Sequence, residues 1–385
     1  MSEKAQHGLV DVSDARHGVV HSEAYAYCAH PHIVVAPDGA WVVVFNRAPR
    51  RPFVLHPPEE PLYHNVIIRS RDQGRSWSAP LVVPDYNRSG TECAGLTVLS
   101  DGRLMLNQWQ FEWLPLEKAR RRIDQAGLTY PKAFMKGWQL SPEHTAENMP
   151  PEMFEHVAPW VRGGGRTFVH FSDDCGMTFG DEVEIDTSPR TGGYGMRGAV
   201  ELHDGRILLP LSDVPNYRQV FSVESIDAGR SWYPPAAIAH GDAHEFEEPA
   251  LLACRSGKLL LVLRDNATRS LHQAESMNGG LSWTAPVPLP IKGYPAHLLQ
   301  LHDGRILMTY GWRFPDFGIR AVLSNDEGKS WDIARTFCIR GAMPNKNLGY
   351  PATIATEEGG FFTVYYGEDP SGVTGIHGTS WDIAR

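Results

Sequence analysis

An eight-residue box of the form S-x-D-x-G-x-[ST]-W recurs along this chain. It reads SRDQGRSW at 70–77, SDDCGMTF at 172–179, SIDAGRSW at 225–232, SMNGGLSW at 276–283 and SNDEGKSW at 324–331. The last four boxes begin 53, 51 and 48 residues apart. A fixed period of that size restricts the chain to successive copies of one supersecondary unit. The first interval, from 70 to 172, is two periods or one period carrying an insertion.

Hairpin signals choose between those options. Two apolar runs joined by a turn of Asp-Gly type occur at Asp38-Gly39, Asp101-Gly102, Asp204-Gly205, Ser256-Gly257, Asp303-Gly304 and Glu358-Gly359. Each is followed by a box, the sixth by the eroded GTSW at 378–381. Six all-strand units of about 50 residues predict an all-β fold, a six-bladed propeller of four-stranded blades in a single domain over 1–385. The box itself is a fold device. Its Asp accepts backbone N–H groups in a tight turn, its Gly takes positive φ, and its Trp packs between blades.

The sixth unit runs out of chain before its outer strand. The run GVVHS at 18–22 is expected to pair there and close the ring, leaving no open edge. Strand order then divides the molecule into two faces. The Asp-Gly turns and boxes share one face; the starts of strands 1 and 3 and the ends of strand 2 share the other, where function is expected. Blade two carries an insertion at 110–165 on that functional face. Helical spacing predicts helices at LPLEKARRRIDQAG (114–127) and PPEMFEHVAPWV (150–161). A homo-oligomer contact and a lid or substrate wall are both open as roles for it.

Composition narrows the partners. The chain is 42% hydrophobic with 11 Trp, enough for an extensive core. A formal net charge of −9 argues against nucleic acid or an anionic membrane as partner. No run approaches the roughly 18 apolar residues of a membrane span, and the start MSEKAQHGLV lacks signal-peptide character. Five cysteines are odd in number and without metal-type spacing. A cytoplasmic, reduced protein is expected, with no cofactor and no metal.

Aligned on their turns, the six strand starts aim His30 and His32, Glu92, Arg197, Glu248, Tyr294 and Tyr350 at the channel mouth. The strand-2 ends add Arg47, Trp109, Asp213, Arg264, Trp312 with Arg313, and Tyr366 with Glu368. Arginine forks bind carboxylates bidentately and aromatics stack on sugar rings, so this set suits an anionic sugar. The ordinary alternatives are inter-blade ion pairs for the arginines, core packing for Tyr350 and buried channel histidines. His30 and His32, with a distant His64, form only a weak ligand pattern.

Five boxes on six blades, with EEPALLACRSGKLLLVLRDN (247–266), GIRAVLSNDEGKSW (318–331) and GYPATIATEEGGFFTVYY (349–366), resemble the sialidase (neuraminidase) superfamily over nearly the whole chain. The resemblance implies Tyr350 as nucleophile, Glu248 as its base, and Arg264 and Arg320 as carboxylate-binding arginines. Two family features have no direct match. Aligned on Pro31, the first arginine falls at Ala29, beside His30 and His32, which leaves Arg197 to complete the set. The acid/base aspartate of the blade-one loop is absent, and that loop offers Glu59, Glu60 and His64. A neutral phenol can approach an anomeric carbon bearing a carboxylate without the repulsion an acidic nucleophile meets.

The leading expectation is an exo-acting glycoside hydrolase on a terminal sialic-acid-like or uronic acid. Its catalytic candidates are Tyr350, Glu248, Glu60 and His64; its substrate-binding candidates are Arg264, Arg320, Arg197, His30, His32, Glu92 and Trp312. A polysaccharide lyase using Tyr or His as base, and a non-catalytic glycan-binding propeller, stay open beside it.

Overall fold

The same hydrogen bonds close every box. Ser70 Oγ accepts from Gly74 N at 2.8 Å, and Asp72 Oδ1 accepts from Ser76 N at 2.8 Å. Ser172 and Asp174, Ser225 and Asp227, Ser276 and Asn278, and Ser324 and Asp326 repeat that arrangement. The residue before the box glycine is itself left-handed at Gln73, Cys175, Ala228 and Glu327. Each glycine then lies against the blade before it: Gly328 against Leu260, Gly280 against Leu208, Gly229 against Phe171 and Gly176 against Val42. A Cβ at Gly328 would stand 2.8 Å from Leu260, so the small residue sets how closely successive blades pack. The tryptophan adds to the same seam, since Trp331 donates its indole N–H to Gln273 of blade four at 3.0 Å.

The computed structural model describes residues 8–50, 62–84, 89–115, 160–190, 192–213 and 219–383. Two strands precede the first blade, β1 (Leu9–Asp11) and β2 (Ser13–His21). Blade one follows as β3 (Ala26–Val35), β4 (Trp41–Pro49), β5 (His64–Ser70) and β6 (Leu81–Val82). Blade two is β7 (Ser89–Val98), β8 (Leu104–Pro115), β9 (Trp160–Ser172) and β10 (Gly180–Ile185). In blade three the inner strand is split into β11 (Gly193–Tyr194) and β12 (Val200–Glu201), followed by β13 (Ile207–Asp213), β14 (Gln219–Ser225) and β15 (Ala236–His240). Blade four is β16 (Phe246–Ala253), β17 (Leu259–Asp265), β18 (Ser270–Ser276) and β19 (Val287–Lys292). Blade five is β20 (Tyr294–Gln300), β21 (Ile306–Trp312), β22 (Gly318–Ser324) and β23 (Thr336–Arg340). Blade six contributes β24 (Gly349–Ala355), β25 (Phe361–Glu368) and β26 (Thr374–Asp382).

The six-bladed propeller is closed as the sequence predicts. Strand β2 pairs antiparallel with β26, completing the sixth blade, with Gly18 opposite Gly378 and Val19 opposite His377. Strand β1 was not expected. It adds a fifth strand to blade five by pairing parallel with β23. The inner strands of blades one and six touch across the closure, and the core lies in the seams between blades. In one seam Val42, Val44 and Ile67 of blade one meet Leu96, Leu104 and Leu106 of blade two.

The insertion differs from its helical prediction at both ends. Leu114 pairs with Val161 and Pro115 with Trp160, so β8 and β9 run on as a ladder where helix was expected. The remainder of both helical candidates, 116–127 and 150–159, lies outside the described residues.

Candidate active site

One backbone device recurs on the inner strands. In blade one the register slips between Ala29 and His32, in blade four between Glu247 and Ala250, and in blade six between Gly349 and Ala352. Two residues on the inner strand thus oppose one on its partner: His30-Pro31, Glu248-Pro249 and Tyr350-Pro351. Such bulges bend a strand and re-aim its side chains. His30, Glu248 and Tyr350 all take the left-handed conformation, with φ of 55°, 55° and 53°. For residues other than glycine that conformation costs on the order of 1–2 kcal/mol each, and such strain concentrates at functional sites. The proline that follows each of them disfavours the right-handed helical region at the residue before it. Blades two and five slip at the corresponding places, between Glu92 and Gly95 and between Tyr294 and Ala296.

The bulges bring three residues from blades one, four and six together. The Tyr350 hydroxyl donates to Glu248 Oε1. Arg264 donates from one terminal nitrogen to Glu248 Oε2 at 2.8 Å and from Nε to Asn266 Oδ1 at 2.6 Å. Burial works against the charge on Arg264, but Glu248 and Glu247 beside it raise its pKa well above the usual value. The His30 ring lies edge-on to Tyr350, with centroids 4.3 Å apart, and 5.2 Å from Tyr366.

A second layer holds this group in place. Glu247 Oε2 accepts from the Tyr194 hydroxyl at 2.9 Å, and Asn266 Nδ2 donates to its other oxygen. Burial and the neighbouring Glu248 raise the Glu247 pKa, against the pull of Arg264. On the other side, His30 Nδ1 meets Asn46 Oδ1 at 3.1 Å, Asn46 donates to Asn65 at 2.7 Å, and Asn65 donates to Gln108 at 2.8 Å. Because Asn46 already donates through Nδ2, its oxygen accepts, and His30 carries its proton on Nδ1. Burial lowers the His30 pKa to about 3, with the charges of Arg313, Arg264 and Arg197 adding to the effect, so the ring is neutral near pH 7.

Arg313, read from the sequence as a strand-2 end but not as a carboxylate-binding residue, stands beside the tyrosines. It stands one residue past the end of β21, where the chain leaves the ladder and the side chain can turn over the mouth. Its Nε donates to Leu348 O at 2.8 Å and a terminal nitrogen to the Tyr366 hydroxyl at 3.0 Å. Its guanidinium carbon lies 5.6 Å from the centre of the Tyr350 ring and 5.4 Å from that of Tyr294. Arg264 also lies against Tyr294, 4.7 Å from its ring centroid.

The other expected residues distribute unevenly. Arg197 is buried in the channel, with Nε donating to Ala296 O at 2.9 Å, and its charge adds to burial in lowering the pKa of His30, His32 and His297. His32 lies deeper along the axis, where its Nδ1 accepts from Leu96 N at 3.0 Å and its ring stands 5.8 Å from that of His297. Arg320 and Trp312 form a pair of their own, the guanidinium 3.7 Å above the indole. Arg320 is a mid-strand residue paired with Tyr310, and the Trp312 indole is tied to Pro315 O, so neither makes a described contact with Tyr350 or Glu248. His64 is half-buried at the start of β5, opposite Arg47. Glu60 lies outside the described residues. Glu92 is placed only by its backbone, opposite Trp109. Tyr194 and Asn266 were missed by the sequence reading, because they hold Glu247 through contacts between separate strands that no local motif records.

A tyrosine–glutamate pair, ringed by arginines at the mouth of a box-repeat propeller, defines the class: a sialidase-like fold with an anion-suited centre. The chain belongs to the BNR repeat-like domain family, whose profile matches residues 152–364. Among solved structures it is similar to a protein of unknown function from Dyadobacter fermentans DSM 18053, at 21% identity and a TM-score of 0.74, covering 97% of this chain and 100% of that one. It is similar to the NanB sialidase from Streptococcus pneumoniae at 14% identity and a TM-score of 0.65, over 100% of this chain and 71% of that one. The intramolecular trans-sialidase from Ruminococcus gnavus matches at 14% identity and a TM-score of 0.61, over 98% and 99%. These likenesses establish the shared fold. No curated protein matches the chain by sequence.

Proposed function

We propose that this protein is an exo-acting glycoside hydrolase of sialidase type, removing a terminal sugar that bears a carboxylate. The observation that carries the reading is the Tyr350–Glu248 hydrogen bond, with Arg264 holding the second carboxylate oxygen. In the proposed step the phenolic oxygen attacks the anomeric carbon and its proton passes to Glu248. The bond to the leaving oxygen breaks as that oxygen takes a proton from Glu60 of the blade-one loop or from His64 at the start of β5, the two candidates. Water then cleaves the tyrosyl–sugar bond and Tyr350 recovers its proton. Arg313, Arg197 and the face of Arg264 turned away from Glu248 supply the positive charge for the substrate carboxylate, and Arg320 is replaced by Arg313 in that role. The substrate class is a sialic-acid-like or uronic acid.

A panel of terminal sialosides, ketodeoxy sugars and uronosides tests this, read for released sugar and for ultraviolet absorbance together. Sugar released without new absorbance, and lost in Tyr350→Phe, supports hydrolysis through the phenol. An absorbing unsaturated product would make the protein a lyase instead. Binding of sugars with nothing released would make it a lectin-like propeller.

A further inference from the structure

Blade four carries a second cluster, separate from the tyrosine–glutamate pair. The Asp265 carboxylate ends β17, His272 lies on the adjacent strand β18, and His244 sits in the turn before β16. One ligand-type atom from each lies within 4.8 Å of the others. Asp265 and His272 are buried, whereas the His244 side chain is 34% exposed and opens the cluster to solvent.

Each group is oriented by a partner behind it. Asp265 Oδ1 accepts from the backbone N–H groups of Glu245 and Ala267, at 2.8 and 3.1 Å, which turns Oδ2 toward the two histidines. Oδ2 also accepts from the Thr268 hydroxyl at 2.7 Å. His272 Nδ1 faces the Ser270 carbonyl at 3.4 Å, an acceptor only, so its proton belongs on Nδ1. Nε2 of His272, which then carries a lone pair, lies 3.9 Å from Asp265 Oδ2. A lone-pair nitrogen and a carboxylate oxygen brought this close attract a cation between them. His244 Nδ1 completes the set at 2.8 Å from the same oxygen, its ring stacked on Phe246 at 4.7 Å.

We propose that His244, Asp265 and His272 form a binding site for a single divalent transition-metal ion of the zinc type. Two imidazole nitrogens and one carboxylate oxygen select borderline ions such as Zn2+ or Co2+ over Ca2+ and Mg2+, which favour oxygen. Ligands bound tetrahedrally at about 2.0–2.1 Å lie about 3.3 Å from one another. The 2.8 and 3.9 Å separations from Oδ2 straddle that value. Closing the site takes shifts of about half an ångström: the half-exposed His244 recedes from Oδ2 while its proton moves to Nε2, His272 Nε2 and Asp265 Oδ2 draw together, and the open side of His244 admits water as a fourth ligand. The carbonyl behind His272 and the amides behind Asp265 are the outer partners that orient metal ligands. The ion would pin the end of β17, which also carries Arg264 and is followed directly by Asn266. The sequence offers no sign of this, because the three ligands fall in a turn and on two strands without a compact motif.

The test loads metal-free, tag-free protein with Co2+ and then Zn2+. Wild type should take up one equivalent of Co2+ with visible d–d absorption, lose that absorption on adding Zn2+, and rise in Tm by about 3 °C at 100-fold saturation. His244→Ala, at a half-exposed position and folded by circular dichroism, should lose both effects. His272→Gln gives a second loss at the buried ligand. Wild type without stoichiometric Co2+ uptake, or uptake unchanged in a folded His244→Ala protein, would overturn the site.

Discussion

Tyr350 donates its phenolic proton to Glu248, a residue 102 positions earlier in the chain, and Arg264 holds the other Glu248 oxygen at 2.8 Å. The phenol and the carboxylate therefore come from blades six and four, and each is turned to the axis by the same bulge with the same left-handed residue before proline. Tyr350→Phe deletes one oxygen and keeps the buried ring. Turnover on the substrate that the glycoside panel identifies should fall by at least about 10³-fold, with Tm within a few degrees of wild type. Near wild-type turnover in a folded variant would exclude the tyrosyl route and shift attention to the histidines of blade one.

Arg313 and Arg320 should separate cleanly. Arg313→Lys keeps the charge and loses the planar fork beside Tyr350, so KM for a carboxylate-bearing sugar should rise by about tenfold or more. Arg320→Ala should leave KM within about twofold, since that guanidinium lies on Trp312. Steady-state kinetics on the two variants decide the matter. The reverse ranking would restore Arg320 to the clamp.

Acid should destabilise the fold well above the carboxylate range. Burial lowers the pKa of His30 and of His32 to about 3, below the 6.5 of an unfolded histidine. Below pH 6.5 the unfolded chain therefore binds protons that the folded chain refuses. Stability falls as the pH drops from 6.5 towards 3, by about 2 kcal/mol per histidine at pH 5. Glu247, whose pKa is raised, works in the opposite sense as one group against several. Urea unfolding from pH 7.5 to 5 should show the decline, and His32→Gln should flatten it. A flat wild-type profile would mean that these rings take up protons freely in the fold.

Removal of residues 1–22 should lower Tm by about 10 °C or more, because it strips β2 from β26 and β1 from β23 and leaves two blade edges unpaired. Scanning calorimetry reads this directly. An unchanged transition would show that closure depends on the inner strands alone.

The sequence by itself determined the repeat, the blade number and the face on which the candidate site lies. Those are local properties: an Asp box closes its own turn, an Asp-Gly pair turns its own hairpin, and strand order assigns each loop to an end of the axis. It also placed Tyr350, Glu248 and Arg264 in candidate positions, because a strand start or strand end is legible from the turn beside it. Only the tertiary structure decided which of those side chains meet. Arg313 turns over the mouth because it stands just beyond its ladder, whereas Arg320, inside one, packs on Trp312. His30 is aimed at Tyr350 by a bulge whose extra residue is visible only in the pairing register. The cluster of His244, Asp265 and His272 exists because two adjacent strands and a turn converge, a distance relation that no spacing along the chain encodes.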